Sequence, residues 1–98
     1  MKIENLKIYI RDLKKEDIAK RNLPKNTTGV VVTKIEEGSP LLFVDENDVI
    51  VELQKKKVIN SSQFSNLVKE IINKGAKTLY LAIYNSNNQR SYITVKLK

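Results

Sequence analysis

The side chains that could carry chemistry lack the partners they would need. Ser39, Ser61 and Ser62 are candidate nucleophiles, but the chain has no histidine and no cysteine. A serine without a nearby base is a poor nucleophile, and a thiol nucleophile is ruled out. Zinc sites built from nitrogen and sulfur ligands are equally out of reach. The sequence therefore speaks against catalysis by this chain alone, and no metal and no cofactor is expected. Without cysteine no disulfide can form, so cysteine usage says nothing about the redox compartment.

The formal charge is +7 and the isoelectric point is near 9.7, which favours acidic partners electrostatically. Most of this charge reads as solvated surface. Lys14-Lys15 and Lys55-Lys56-Lys57 fall between or at the edges of predicted elements, where exposed lysines are ordinary. Nucleic-acid binding would call for arginines and exposed aromatics interleaved on one face. Arginines are few here, and most aromatics alternate within apparent strands, so nucleic acid is not an expected partner.

At 98 residues the chain suits one domain spanning 1–98 and is too short for two. Hydrophobic residues make up 41% of it, spread in short clusters, which supports an ordered core. The start, Met1-Lys2-Ile3-Glu4-Asn5, has no apolar stretch of the signal-peptide kind. No apolar run approaches the roughly 20 residues that a membrane-spanning helix requires. The expectation is a soluble domain, cut from a longer precursor if it works outside the cytoplasm.

Periodicity supplies the elements that must position any site. Leu6 to Arg11 alternates, with Leu6, Ile8 and Ile10 on one side and Lys7, Tyr9 and Arg11 on the other, as a strand does. A short helix is expected within KKEDIAKRN, with Leu13 and Ile18 as a hydrophobic staple and Pro24 ending it. Gly29 to Ile35 is β-branched and apolar, suiting a strand buried on more than one side. Glu36 to Pro40 is a turn, and Leu41 to Val44 an apolar turn that plugs the core. Asp48 to Leu53 reads as a strand, and Lys57 to Ile59 as a very short one.

Ser61 or Ser62 is expected to cap a helix running to about Asn73, with Gly75 just past its end. At 100° per residue, Phe64, Leu67, Val68, Ile71 and Ile72 share one stripe, opposite Asn66, Lys69, Glu70 and Asn73. Thr78 to Tyr84 and Ser91 to Leu97 alternate and read as a terminal hairpin around NSNNQR.

The segments LKIYIRDL, LPKNTTGVVVTKIEEGSP, DVIVEL and TLYLAIYNSNNQRSYITVKL resemble those of the C-terminal PDZ domain of bacterial HtrA/Deg (Do-like) serine proteases, in the same order and over nearly the whole chain. The resemblance implies an α+β, mainly β fold: a small, bent antiparallel sandwich or partly open barrel of five to six strands capped by two helices. It also implies a groove between the strand near Ile8 and the helix from about Ser62 to Asn73, where an extended peptide adds as an extra strand. In that reading the backbone of Ile8, Tyr9 and Ile10 supplies ladder hydrogen bonds. Leu6, Ile8 and Ile10, with Phe64, Leu67, Val68 and Ile71, would form the apolar walls. Periodicity does not separate groove from core among these seven.

The peptide carboxylate would be held by main-chain amides of Asn5-Leu6-Lys7-Ile8. Lys7 stands where the family usually has glycine. If the loop needs positive φ there, lysine costs on the order of 1 kcal/mol. The Lys7 ammonium would then either assist carboxylate binding or accompany a malformed site. Two further departures are a shortened LLFVDEN stretch and Gln54-Lys55 in place of an Asn-Gly turn. The implied partners are unfolded or hydrophobic C-terminal peptides, and other subunits or PDZ domains of a parent protease in the periplasm or cell envelope. The competing reading is a structural domain that holds the protease oligomer together, with a vestigial groove.

Overall fold

The computed structural model describes residues 1–97. Two short residues of strand, β1 (Lys2–Ile3), lead through a turn of 3-10 helix (Glu4–Leu6) into β2 (Ile8–Asp12). Helix α1 (Lys15–Arg21) follows, then β3 (Val30–Ile35), β4 (Val49–Leu53) and β5 (Lys56–Lys57). Helix α2 (Ser61–Asn73) precedes the hairpin of β6 (Thr78–Tyr84) and β7 (Arg90–Lys96). All pairings are antiparallel within one sheet, ordered β1-β2-β3-β4-β6-β7, with β5 on β4. Among the described residues seven strands are found where five to six were expected: β1, of two residues, was not anticipated, and the very short strand expected at Lys57 to Ile59 lies instead at Lys56–Lys57.

Alternation explains which side of the sheet most residues take, and a register shift between Ile50 and Glu52 puts Leu53 on the same side as Ile50. Ile8, Ile10, Val30, Val32, Ile50, Leu53, Leu79, Leu81 and Val95 point into the main core, which α2 closes with Phe64 and Val68. The intervening Val31, Val49, Val51 and Ala82 face the other way and are buried with Leu23, against Leu13 and Ile18. The apolar run after Gly29 is thus covered on both faces, as its composition predicts. Gly29 itself is required there, since a Cβ would lie 2.4 Å from the Ile50 carbonyl oxygen.

Several boundaries move for identifiable reasons. The strand expected from Leu6 begins at Ile8, because Glu4 to Leu6 wind into the 3-10 turn. Helix α2 is capped by Asn60, whose Oδ1 accepts the Gln63 N–H at 2.9 Å, rather than by either serine. Helix α1 stops at Asn22, left-handed at φ 59, before Pro24 is reached. In the apolar turn only Leu41 and Val44 are buried, while Leu42 and Phe43 are 79% and 76% exposed. Gln54 and Lys55 both take positive φ, 52 and 66, the backbone that a two-residue hairpin turn demands. The Gln54 side chain compensates by acting as extra strand, accepting the Tyr80 N–H at 2.8 Å and donating to the Thr78 carbonyl.

Candidate functional site

A strand has two edges. That of β2 facing β3 is filled by the sheet, with Tyr9 opposite Lys34 and Arg11 opposite Val31. The other edge is the one to which a foreign strand could add. At its upstream end, the loop Glu4 to Lys7 is braced from behind by the turn after β3. The Ser39 hydroxyl donates to the Leu6 carbonyl at 2.6 Å, and the Glu36 N–H donates to the Lys7 carbonyl at 2.9 Å.

In a trans peptide the C=O and N–H point opposite ways. Pinning these two carbonyls onto the turn leaves the Lys7 N–H on the far side, where the Glu4 carbonyl accepts it at 3.2 Å, and turns the Ile8 N–H toward the non-β3 edge, where Ile3 lies opposite. The loop closes on Lys7 in the left-handed region, φ 53 and ψ 45, so the positive φ anticipated for this position is present without glycine. The Lys7 ammonium runs along the Glu36–Ser39 turn, 3.2 Å from where a Cβ on Gly38 would stand.

The apolar residues named from the sequence do converge, but most are wholly interior. Leu6, Ile8, Ile10, Phe64 and Val68 are 0–1% exposed. Leu67 and Ile71 are half-buried at the margin of the same cluster. Asn5 and Lys7 are exposed, and Tyr9 lies on the outer face of the sheet, half-buried. Helix α2 is tied to β2 at its start, where the Asp12 carboxylate accepts the Ser61 N–H at 2.7 Å. That bond holds the Asp12 carboxyl below its ordinary range, as expected for an anion at a helix N-terminus.

The residues that sequence reasoning passes over are Met1 to Ile3. They lie antiparallel along the non-β3 edge of β2, with Lys2 opposite Tyr9 and Ile3 opposite Ile8. Met1 and Ile10 exchange both main-chain bonds, at 2.8 and 2.9 Å. Antiparallel ladders alternate bonded and non-bonded pairs, so Ile3 and Ile8 form the next bonded pair. The Ile3 side chain is 3% exposed and belongs to the main core. On the outer face the Lys2 ammonium lies 5.7 Å above the Tyr9 ring and 3.2 Å from the Glu36 carboxylate, which raises its pKa. A clue was present in MKI-ENLK-IYI, two apolar-ended stretches separated by four residues. Two residues of strand, however, show no periodicity.

No family model matches the chain, and no curated protein does. Solved structures match its fold. The HtrA3 PDZ domain bound to a phage-derived ligand, FGRWV, superposes with a TM-score of 0.69 at 17% identity, covering 93% of this chain and 81% of that one. The HtrA-type protease AlgW with a decapeptide gives the same TM-score and identity over 93% of this chain, which spans only 27% of that chain. The PDZ domain of EpsC from Vibrio cholerae gives 0.57 at 14% identity, covering 93% and 94%.

Proposed function

We propose that this chain, which has the PDZ fold, is a peptide-binding module that takes extended, hydrophobic C-terminal segments by strand addition to β2. The observation that carries this reading is that the non-β3 edge of β2 takes an antiparallel strand, Met1–Ile3, beside a loop braced by the Ser39 and Glu36 bonds, the arrangement that strand addition by a peptide requires. Ladder bonds from Ile8 and Ile10 would supply affinity without reading sequence. Leu67 and Ile71, at the rim of the apolar cluster, would meet the terminal side chain. In this reading Asn5, Leu6, Tyr9, Phe64 and Val68 shape the site from beneath and beside it.

The same reading makes the chain one part of a longer HtrA-type serine protease of the periplasm or cell envelope, presenting substrate to a catalytic domain elsewhere. The short span relative to AlgW fits that arrangement. Titration with FGRWV tests the module directly. Amide signals of Lys7, Ile8 and Ile10 should move, and amidating the peptide terminus should weaken the effect. Unmoved signals along that edge at millimolar peptide would remove the peptide-reading role.

A second reading, that the domain chiefly joins subunits of its parent, is favoured by the coverage of the β2 edge by Met1–Ile3. Deleting the domain from the parent protease should then lower its oligomeric state in sedimentation; an unchanged assembly speaks for the first reading.

A further inference from the structure

Resting on the peptide-binding reading, we propose that Met1–Ile3 is a built-in ligand of the chain's own groove, and that an incoming peptide binds by displacing it. β2 has a single edge not used by β3, and Met1–Ile3 occupies it. The segment runs antiparallel to β2 and uses both main-chain groups of Ile10. Its last residue, Ile3, is 3% exposed and belongs to the main apolar core that also holds Ile8, Phe64 and Val68. An added peptide would need the same ladder groups and the same space, so both cannot bind together.

The segment is held firmly enough to compete and loosely enough to leave. Its hold consists of one buried side chain, the pairings of Met1, Lys2 and Ile3 with Ile10, Tyr9 and Ile8, and the half-buried Lys2–Glu36 ion pair. A two-residue strand at the margin of a sheet frays readily. Against this, the connection from Ile3 to Ile8 spans only Glu4 to Lys7, and so short a tether gives a high effective concentration. The occupant also states what should replace it. Ile3 marks an aliphatic terminal residue, and Lys2, between Tyr9 and Glu36, marks a basic residue immediately before it.

The test uses acetyl-Trp-Met-Lys-Ile with a free carboxylate, titrated into the full chain and into a chain lacking residues 1–3, with amide signals followed by NMR. If the edge is occupied in nine chains of ten, the deletion should tighten binding about tenfold. In the full chain, saturation should move the Lys2 and Ile3 amides to the positions of an unstructured segment. Replacing the peptide's lysine by glutamate should weaken binding to the deleted chain. Equal affinity for both chains, with Ile3 keeping its hairpin signal at saturation, overturns displacement while leaving peptide binding intact. Failure of both chains to bind along β2 removes the groove reading and this inference with it. Should the deleted chain not fold, the Ile3 signal of the saturated full chain decides alone: released, it upholds the proposal; retained, it refutes it.

Discussion

β2 and β7 each have one edge that no long strand of the sheet pairs, and the two edges are treated differently. At one end β2 lies beside α2, over the apolar cluster around Phe64 and Val68, and its outer edge is covered by Met1–Ile3. At the other end β7 pairs with β6 alone along Arg90–Lys96. There the outward residues Arg90, Tyr92, Thr94 and Lys96 are exposed. Arg90 lies over the rings of Tyr84 and Tyr92, 5.7 and 5.5 Å from their centroids, and bonds Glu52 at 2.9 Å. Cations near both ends of β7 blunt pairing with another strand. An edge beside an apolar wall needs an apolar plug, whereas an edge over solvent is managed with charge.

This contrast can be broken most severely at the wall. Phe64→Ala, at 0% exposure, should cost about 3–5 kcal/mol, enough to unfold the domain or bring its urea midpoint close to zero. A loss under 1 kcal/mol would mean that the wall is not the keystone of the β2 end.

Acid is the next probe. Arg11, on β2, bonds both carboxylate oxygens of Asp17 at 2.8 and 2.9 Å. Chiefly through this pair, the Asp17 pKa falls from 3.8 to about 2. The folded value is the lower one, so the contribution is complete above the unfolded pKa near 4 and is lost as pH falls through about 2. Because Arg11 is 41% exposed, solvent screening should reduce the effect to about 1 kcal/mol. Urea unfolding of the wild type and Asp17→Asn at pH 5 and pH 2 should show the difference between them shrinking; a constant gap would refute the linkage.

A smaller gain is expected at the braced loop. Lys7→Gly relieves a left-handed residue, offset in part by unfolded-chain entropy, and should stabilise by about 0.5 kcal/mol. Thermal unfolding of the two proteins checks this, and a lower midpoint for glycine would show that the lysine stem contributes packing along Gly38. The smallest effect belongs to the far edge. Tyr92→Ala, at 73% exposure, should change stability by no more than about 0.5 kcal/mol; a larger loss would mean that the aromatic and arginine layer there is structural.

Much of the architecture was readable in advance because its signals are local. The stripe Phe64, Leu67, Val68, Ile71 and Ile72 marks α2 by itself, and Val30 to Val32 mark a strand covered on both faces. Capping was less legible, since Asn60 competes with Ser61 and Ser62 on type alone and only the chain direction selects among them. Which of the apolar residues named for the proposed site lie inside and which at its margin was not legible. Leu67 and Ile71 sit at the rim while Phe64 and Val68 lie beneath, a division of roles that depends on where α2 rests against the sheet.

From its residues alone the chain settled that it has no histidine and no thiol to accompany its serines, and where most of its strands and its main helix run, because side-chain chemistry and periodicity are properties of the residues themselves. What lies against the outer edge of β2 was decided only by the tertiary structure. Ladder bonds are made by main-chain groups that nearly every residue carries, so no residue type announces them. The four-residue turn Glu4 to Lys7 brings Ile3 back across Ile8, and that return is visible only once the chain is folded.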